Sequence, residues 1–270
     1  MLNTRKKEEI VLLHTNDLHF NFNHREIFEE VVKEFRDTCE NVFLIDAGDI
    51  FVRQEQYWPE DGLEFYKNRG RHMIESMNKA GYDVTTLGNN ELDYKGTVTR
   101  DNLRLAQFHR LGANVEVNTD KFDQPKPYTV LETACGHTVA FLGLSLDQKS
   151  GYPDGINVRP PEETLEDYLY LHEKYDVLVL LNHLGVKRDR ELAKQFGEVD
   201  AIIGGQSHKQ LNPAEIVNGV LIGQTGGHSP RKLNPDEPQL LGMIRLLLEG
   251  DEVIKKTGEV LTIGAGGQIY

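Results

Sequence analysis

The feature that most constrains the fold of this chain is a series of short apolar runs, each of which ends in polar or glycine residues. The runs are rich in Val, Ile and Leu, and this composition over a few residues is typical of buried strands. They occupy residues 10–17, 41–49, 83–90, 138–144, 176–183, 200–208 and 219–225. Amphipathic segments lie between them, and the alternation of strands with helices predicts an α/β fold.

Three of the intervening segments carry helix signals. They span residues 24–38, 63–81 and 161–175. In the first segment, Ile27, Val31 and Phe35 recur every four residues, which places them on one face of a helix. The second ends at Gly81, and glycine is favoured just after a helix. The third opens with proline and acidic residues, as helix starts often do.

The end of the chain adds a predicted β-hairpin. Residues 240–250 and 251–263 are both strand-like, and the Gly-Asp pair that begins at Gly250 is a common hairpin turn. No internal repeat, low-complexity linker or Pro/Gly/Ser-rich boundary divides the 270 residues, a length that suits one large α/β domain or two small ones. We therefore predict a single domain over residues 1–270, with its core at about residues 10–250.

The charge balance and the cysteine content argue against several classes of protein. The formal net charge is −13, from 43 acidic and 30 basic residues, so neither a general nucleic-acid partner nor an anionic membrane is expected. Cys39 and Cys135 lie far apart and outside any metal-type spacing, which indicates a reducing compartment and no disulfide framework. Residues 1–17 lack the apolar stretch of a signal peptide, and no apolar run reaches membrane-spanning length. We predict a soluble, cytoplasmic protein.

Polar side chains with metal-binding chemistry cluster at the predicted strand ends. In open α/β sheets, ligands bind beyond the carboxyl ends of the strands. Five strand ends here supply Asp17 and His19, Asp49, Asn89, His183, and Gln206 and His208. Oxygen and imidazole donors without a thiolate suit Mn, Fe or Zn, without choosing among them. One carboxylate shared by two ions, with amides completing the shells, would make a two-metal hydrolytic site.

Each of these residues alone has a simpler explanation. An Asp-x-His pair such as Asp17 and His19 is most often a turn. Asp49 after a glycine is most often a helix cap, and His183 could be a hydrogen-bonded core histidine. The two glycines before Gln206 could mark a tight bend. These explanations do not account for the joint occurrence of such residues at successive strand ends.

The ordered motifs resemble those of a known family. The segments HTNDLH, DAGD, LGNNELD, LLNHLG and DAIIGGQSH, in this order and spacing, resemble the calcineurin-like metallophosphoesterases, most closely their 5′-nucleotidase and UDP-sugar hydrolase branch. The similarity extends over roughly residues 10 to 250, and the ordered set is far more specific than any single motif. It implies a four-layer α/β/β/α sandwich, in which two packed mixed sheets are flanked by helices, with a dinuclear metal centre at the strand ends.

The resemblance also implies a role for each strand-end residue. Two divalent transition-metal ions (Mn, Fe or Zn) would be bound. The first would be held by Asp17, His19, Asp49 and His208. Asp49 would bridge to the second, which would also be held by Asn89, His183 and Gln206. A hydroxide that bridges the ions would attack the phosphorus atom of the substrate.

Asn90 departs from the family pattern. The family usually has a histidine here, which is thought to stabilise the transition state or to protonate the leaving oxygen. The acid that orients it three residues later remains as Asp93. Asparagine can donate a hydrogen bond, but it cannot deliver a proton near neutral pH. Loss of general acid catalysis typically costs on the order of 10²–10⁴-fold in rate.

Two interpretations of Asn90 stay open. In the first, the substrate has a leaving group that needs little protonation, such as a phosphoanhydride, or another acid such as His228 supplies the proton. A solvated loop histidine is the simpler explanation of His228. In the second, the site is attenuated, and the protein binds its ligand rather than turning it over. The complete first-metal set and the retained Asp93 favour the first interpretation.

Gln206 and the length of the chain are further departures. The family more often has histidine at Gln206, and a glutamine oxygen is a weaker donor, so the second ion is expected to bind less tightly. Full nucleotidases of this branch carry a second domain with aromatic residues that stack on the base. The residues after 263, GAGGQIY, do not resemble that domain.

Together these features predict a metal-dependent phosphoesterase that hydrolyses a small phosphorylated substrate, such as a nucleotide, a nucleotide sugar or another phosphoanhydride. The alternative is a catalytically attenuated metal-containing module that binds a nucleotide or a partner protein. Four cations that follow the motifs closely could hold a substrate phosphate, although a surface cation is the simpler explanation of each. They are Arg53, Lys187, Arg188 and Lys209.

Overall fold

The computed structural model describes residues 7–52, 62–93, 97–148, 150–229 and 236–264. These residues form two six-stranded sheets and one two-stranded sheet. Elements are numbered in chain order. The first sheet contains β1 (Glu8–Thr15), β2 (Asn41–Asp46), β3 (Val84–Thr86), β4 (His109–Leu111), β13 (Gln239–Glu249) and β14 (Glu252–Ile263). Its order is β14-β13-β1-β2-β3-β4. The four strands from β1 to β4 are parallel, and the β13–β14 hairpin joins β1 antiparallel.

The second sheet is also mixed. It contains β6 (Tyr128–Glu132), β7 (Thr138–Ser145), β9 (Val177–His183), β10 (Ala201–Gly204), β11 (Glu215–Val217) and β12 (Val220–Gly223), in the order β11-β12-β10-β9-β7-β6. Its four central strands are parallel, and β6 and β11 pair antiparallel at the edges. The small sheet pairs β5 (Val115–Val117) with β8 (Ile156–Val158).

The helices cover the outer faces of the two large sheets. They are α1 (Arg25–Thr38), α2 (Gly62–Ala80), α3 (Asn89–Leu92), α4 (Val98–Leu103), α5 (Pro161–Tyr168), α6 (Tyr170–Lys174) and α7 (Val186–Gln195). Three clusters of buried apolar side chains lie between these layers of helices and sheets. One joins the first sheet to α1 and α2, one lies between the sheets, and one joins the second sheet to α5, α6 and α7. The predicted four-layer α/β/β/α sandwich is confirmed.

The alternation of side chains along β1 shows why this sequence builds a sandwich. Ile10 and Leu12 point into the layer between the sheets, whereas Val11 and Leu13 belong to the cluster under α1 and α2. A strand with both faces buried needs apolar residues at every position, which explains why the runs are continuous rather than alternating. In the parallel part of each sheet the register brings the carboxyl ends of the strands to one edge.

Most predicted elements are present. All seven predicted strands are found, as β1, β2, β3, β7, β9, β10 and β12, and the hairpin turns at Gly250 with a positive φ of 66°. The helix predicted over 161–175 is interrupted at Leu169, which separates α5 from α6. No described helix is both long enough and apolar enough to cross a membrane. That residues 1–270 form a single domain, and that the protein is cytoplasmic, stay predictions.

Candidate metal centre

The predicted strand-end residues meet at the carboxyl edge of the two sheets. Asp17 and His19 follow β1, Asp49 follows β2, Asn89 begins α3 after β3, His183 ends β9, and Gln206 and His208 follow β10. Within this set, two groups of acidic and histidine side chains bring their donor atoms within 4.8 Å of one another. The two groups share one carboxylate, that of Asp17.

The first group consists of Asp17, His19 and His208. The Nε2 atoms of His208 and His19 lie 3.2 Å and 3.7 Å from Asp17 Oδ1. The same two Nε2 atoms are 3.2 Å apart, and the rings stack with their centroids 5.1 Å apart. Three donor atoms thus converge on one point, as a single cation requires.

The second group consists of Asp17, Asp49 and His183. His183 Nε2 lies 3.2 Å from Asp49 Oδ2 and 3.8 Å from Asp17 Oδ1. Asp17 is therefore common to both groups, whereas the resemblance assigns the bridge to Asp49. The assignment of each residue to a particular ion stays a prediction.

Backbone carbonyls set the tautomers of two histidines. His19 Nδ1 lies 3.0 Å from the Phe51 carbonyl, and His183 Nδ1 lies 2.7 Å from the Ala47 carbonyl. A carbonyl can only accept, so each Nδ1 carries the proton in the tautomer that satisfies its carbonyl. For His19, that tautomer leaves the longer contact between Nδ1 and Asn90 Nδ2 (3.2 Å) without a hydrogen bond. Protonation at Nδ1 leaves Nε2 of each ring as the atom available to a metal, the arrangement that usually supports a metal-binding histidine.

Several buried atoms at this edge lack ordinary partners. Asp17 Oδ1, Asn89 Oδ1 and His183 Nε2 are buried without a hydrogen bond of normal geometry among the described residues. Leaving a buried polar atom unsatisfied costs about 1–3 kcal/mol. A cation coordinated by these atoms would remove that cost, so the donor set fits a metal site.

The backbone is strained at the same positions. Five predicted ligands have a positive φ in the left-handed region: Asp17 (52°), His19 (47°), Asp49 (57°), Gln206 (74°) and His208 (50°). Non-glycine residues seldom adopt this conformation, and it costs of order 1–3 kcal/mol each unless the surroundings hold it. Such strain concentrated at one edge of the fold is typical of a functional site.

Two glycines allow the ligand loops to approach each other. A Cβ on Gly88 would lie 2.1 Å from Asp49 Oδ1, and one on Gly205 would lie 2.8 Å from both Ala47 O and His183 Nδ1. No side chain fits at either position without moving a ligand or its support. The glycines in the predicted motifs are therefore explained by close packing of the loops.

The electrostatics favour a cation. Burial raises the pKa of Asp17, but His183, His208 and His19 outweigh it and hold the pKa at about 2. Burial lowers the pKa of His183, but Asp49 and Asp17 outweigh it and raise the pKa to about 10. In the metal-free protein, a proton on His183 takes the place of the cation between the carboxylates. A metal must displace this proton when it binds.

Comparison with known proteins agrees with this geometry. The family model described as calcineurin-like phosphoesterase matches residues 10–210. The chain belongs to the calcineurin-like phosphoesterase family. Its relatives include the Trifunctional nucleotide phosphoesterase protein YfkN of Bacillus subtilis, which is 27% identical in an alignment 248 positions long that covers 78% of this chain and 16% of the relative. Another is the Uncharacterized metallophosphoesterase YunD of Bacillus subtilis, 29% identical over 80% of this chain and 47% of the relative.

Solved structures share the fold of this family member. The 5′-nucleotidase precursor of Thermus thermophilus superimposes with a TM-score of 0.76 at 22% identity, over 96% of this chain and 55% of that one. The NAD nucleotidase NadN of Haemophilus influenzae gives a TM-score of 0.75 at 18% identity, over 98% of this chain and 54% of that one. The chain thus spans about half the length of these structures.

Glu91 is a site residue whose role was not predicted from the sequence. Its buried carboxylate accepts hydrogen bonds from the backbone N–H groups of Gly88 (2.8 Å), Asp49 (3.0 Å) and Phe51 (2.9 Å). It therefore ties the loop that carries Asp49 to the start of α3. Burial and the Asp49 charge raise the pKa of Glu91 to about 8. The signal available in the sequence was a carboxylate directly after the candidate ligand Asn89 and the candidate catalytic residue Asn90.

Two buried amides, also not predicted, hold the other ligand loops. Asn16 Nδ2 donates to Asp17 Oδ2 (2.6 Å), and Asn16 Oδ1 accepts from the backbone and hydroxyl of Thr225 (2.8 and 2.6 Å). Gln224 Nε2 donates to the Gly205 carbonyl (2.7 Å), and its Oε1 accepts from Ser207 Oγ (2.6 Å). Asp17 and the β10 loop are thus both fixed to the end of β12.

Asn90 is buried, and both the nitrogen and the oxygen of its side-chain amide form hydrogen bonds. Its Nδ2 donates to the Phe51 carbonyl (3.0 Å), and its Oδ1 accepts from Asn89 Nδ2 (3.2 Å). The second bond fixes the orientation of the Asn89 amide, which leaves Asn89 Oδ1 without a hydrogen bond. Asp93 ends α3, and its N–H donates to the Asn89 carbonyl (3.0 Å).

His228 is buried, so the expectation of a solvated loop histidine is wrong. Its Nδ1 lies 3.3 Å from Glu237 Oε2, and its Nε2 lies 3.3 Å from Gln239 Oε1. Its backbone N–H donates to the Asp17 carbonyl (2.9 Å). The backbone of His228 thus supports the ligand loop, while its ring contacts other residues.

The remaining candidates divide as follows. Gln206 donates its backbone N–H to Asp17 Oδ2 (2.8 Å), and its role as a side-chain ligand stays a prediction. Arg188 forms ion pairs with Glu162 (2.6 Å) and Asp147, so its charge is already matched. Arg53 lies outside the described residues.

Proposed function

We propose that this protein hydrolyses a small phosphorylated substrate at a two-metal centre. The ligands would be Asp17, His19, Asp49, Asn89, His183, Gln206 and His208. The observation that carries the proposal is the pair of donor groups that share Asp17 and contain buried atoms without a hydrogen bond to any described residue. Two divalent ions (Mn, Fe or Zn) supply an activated water and offset charge on the phosphoryl oxygens when bound.

The contribution of the protein is rigid positioning. Asp17 Oδ2 accepts from Asn16 Nδ2 and the Gln206 N–H, so its other oxygen stays directed at both donor groups. The Phe51 and Ala47 carbonyls hold the rings of His19 and His183. Ligands held by a second layer of hydrogen bonds lose little energy to reorganisation when charge develops on the substrate.

The contacts of Asn90 support a phosphoanhydride substrate. An amide cannot protonate a leaving oxygen, and Asn90 Nδ2 already donates to the Phe51 carbonyl. The ring nitrogens of His228, the other candidate acid, face Glu237 and Gln239. A phosphate leaving group departs without a proton far more readily than an alkoxide. Nucleotides with a pyrophosphate bond and nucleotide sugars have such leaving groups.

The same observation favours a second candidate function. If the natural ligand is an ester whose leaving group needs a proton, Asn90 leaves the centre attenuated. The protein would then bind a nucleotide or a partner protein through its metals with little turnover. The two functions differ in what restoring a histidine at position 90 should do.

The test counts bound metal per chain and measures turnover of ADP, an anhydride, against AMP, an ester. Assays would use Mn, Fe(II) and Zn, with EDTA as the control. The proposal predicts EDTA-sensitive turnover of ADP in the wild type and loss of both metal and turnover in Asp49→Asn. Unchanged turnover in Asp49→Asn would refute it.

The variant Asn90→His separates the two functions. Under the anhydride proposal it raises AMP turnover by about tenfold or more, with little effect on ADP, because only the ester needs a general acid. Under the attenuated-module alternative, the wild type binds two metals and cleaves neither substrate, and Asn90→His restores turnover of both.

A further inference from the structure

A cavity at the edge strand β4 combines an apolar wall with positive charge. Its volume is about 270 Å³, and it lies between α4, the edge strand β4 and the segment that follows Phe122. The wall includes Leu87, Leu103, Phe108 and Phe122, each no more than 5% exposed. An apolar wall with a few charged groups is the usual composition of a small-molecule site, and this volume suits a small ligand.

The charges around the cavity are not balanced. Arg104 binds Asp123 through two hydrogen bonds of 2.8 Å, which neutralises this carboxylate of the lining. Arg100 pairs with Asp101 (2.9 Å) and also donates to the Asp120 carbonyl. The acidic groups near the cavity are thus already matched by arginines other than Arg110.

Arg110 is a cation of the lining that has no ion-pair partner among the described residues. Its guanidinium is partly buried, and it makes no hydrogen bond or ion pair with another described residue. Burial lowers the pKa of Arg110, and Asp123 opposes this only in part. A guanidinium taken partly out of water without a bidentate partner has lost hydration that a bound anion would restore.

Lys126 adds a second positive charge at the same cavity. Its ammonium is at the exposed rim and has no partner within the described parts of the chain. Burial, together with the charge of Lys126, lowers the pKa of His109, which keeps that ring neutral at pH 7. In a chain whose net charge is −13, this pair of unmatched cations is a local exception.

We propose that this cavity binds a small organic anion. The acidic group of the ligand lies against Arg110 and Lys126, and its apolar or aromatic body lies against Phe108 and Phe122. An inorganic anion would make no use of the apolar lining, and a neutral apolar ligand would leave Arg110 without a partner among the described residues. The chemistry therefore selects a carboxylate, sulfonate or phosphate attached to an apolar body.

The site stands apart from the metal centre, and the proposal does not depend on the proposed function. Leu87 connects the cavity to the segment that carries a candidate metal ligand. It lines the cavity, its N–H donates to the Leu111 carbonyl (3.0 Å), and its own carbonyl accepts from Ser145 Oγ (2.7 Å). The next residues are Gly88 and the candidate ligand Asn89. A bound anion would thus contact the segment that carries that ligand.

Calorimetric titration of the metal-loaded protein with naphthalene-1-sulfonate and benzenesulfonate tests the proposal. Sulfonates bind divalent metals weakly, so these probes report on the cavity. We expect saturable binding at one site, weaker at high salt, and no binding of the uncharged analogue benzenesulfonamide. No saturable binding of either sulfonate at millimolar concentrations would overturn the proposal, as would equal binding of the sulfonamide.

Variants locate the binding site. Arg110→Gln should weaken binding by about tenfold or more, and Lys126→Gln by a smaller factor. Asp123→Asn should tighten binding, because it removes the acid of the lining, and a folding defect could not produce this effect. Arg159→Gln, which removes a partly exposed arginine paired with Asp167 elsewhere, should bind like the wild type. Wild-type affinity in both Arg110→Gln and Lys126→Gln would place the binding elsewhere and overturn the proposal.

Discussion

Two clusters of carboxylate and histidine lie at opposite ends of β1, and they differ in how far their atoms are satisfied. At the carboxyl end, Asp17 Oδ1 and His183 Nε2 are buried and form no ordinary hydrogen bond within the described parts of the chain. At the amino end, Glu8 pairs with the buried His137, and His137 Nε2 donates to the Gly250 carbonyl (2.7 Å). The residue types are the same, but only the first cluster leaves room for a cation.

The amino-end cluster is complete in itself. Glu8 Oε1 accepts from Asn41 Nδ2 (2.8 Å) and the Cys135 N–H (3.3 Å), and Oε2 accepts from Thr133 Oγ (3.0 Å). Neither Glu8 nor His137 has a positive φ, in contrast to Asp17 and its neighbours. Unsatisfied donors and backbone strain together therefore distinguish a binding cluster from a structural one.

The largest expected effect is that of Asp17→Asn. Because Asp17 belongs to both donor groups, the variant should lose both metals, and turnover should fall on the order of 10³-fold or more. The metal-free variant should also melt below the metal-free wild type, because the ionised Asp17, whose pKa His183, His208 and His19 hold at about 2, stabilises the fold at pH 7 and the change leaves those histidines with one carboxylate fewer. Metal analysis, turnover and thermal unfolding check this. If Asp17→Asn retained two metals, the unsatisfied oxygen of Asp17 would not identify a metal ligand, and the proposed difference between the two clusters would be wrong.

The sequence was sufficient to predict an α/β fold, because continuous apolar runs such as β1 and β9 must be buried on both faces, whereas the four layers were implied by the family resemblance. It did not reveal the three-residue strands β4, β5, β8 and β11. Those strands are short and partly polar, and they form because a neighbouring strand offers hydrogen bonds. Pairing of this kind is a tertiary effect that local propensity does not encode.

The candidate ligands were predictable for a different reason. Each follows a strand, so its place at the common edge depends only on strand order and parallel pairing. Glu91, Asn16 and Gln224 were not predicted, because their roles depend on partners distant in sequence. Glu91 binds the N–H groups of Asp49 and Phe51, some 40 residues away. The position of Asp17 in both donor groups could also not be predicted, because it depends on the three-dimensional arrangement of the strand ends.

The second-largest effect is expected for Glu8→Gln, in the structural cluster at the amino end of β1. Breaking a buried charged pair by changing one partner should cost roughly 3 kcal/mol of unfolding free energy at pH 7. Metal binding at the opposite end should be unchanged. Chemical denaturation measures the first quantity, and metal analysis measures the second.

The pH dependence of this stability has a defined sign. Burial raises the pKa of Glu8, but hydrogen bonds from His137, Cys135 and Thr133 outweigh it and lower the pKa below its usual value. The stabilisation is therefore complete above the pKa of an unfolded glutamate and is lost as the pH falls through the lower folded-state pKa. The gap between wild type and Glu8→Gln should narrow in acid. Glu9→Gln, the exposed neighbour, is the control and should change stability by less than about 1 kcal/mol.

Asp189 is a test of the rule that an unsatisfied buried oxygen marks a ligand. Its Oδ1 accepts from Asn182 Nδ2 (3.0 Å), whereas Oδ2 is buried without a hydrogen bond among the described residues. Burial raises the pKa of Asp189 to about 7, so the carboxyl is neutral in mild acid and needs no cation. Asp189 therefore belongs with the structural residues in spite of its free oxygen.

Asp189→Asn should be nearly neutral near pH 5 and stabilising by on the order of 2 kcal/mol at pH 8. The folded-state pKa lies above the unfolded value, so the stability of the wild type is greatest below the unfolded pKa and is lost as the pH rises through about 7. The variant has no such loss. Unfolding at a series of pH values checks this, with the exposed Asp37→Asn as control. Loss of a metal from Asp189→Asn would instead make Asp189 part of the centre.

The smallest expected effect is that of His228→Gln, which tests the rule with a histidine at the metal-binding end. Both ring nitrogens of His228 face protein oxygens, of Glu237 and Gln239, and its link to Asp17 is through the backbone. The backbone bond survives the substitution, so turnover should stay within about threefold of wild type, far from the loss typical of a missing general acid. The pH–rate profile should keep its shape, because no proton is delivered from this ring. Disappearance of one limb of the profile would show instead that His228 acts as the acid, and that its Nδ1, which is buried without a hydrogen bond of normal geometry among the described residues, belongs to the reactive end.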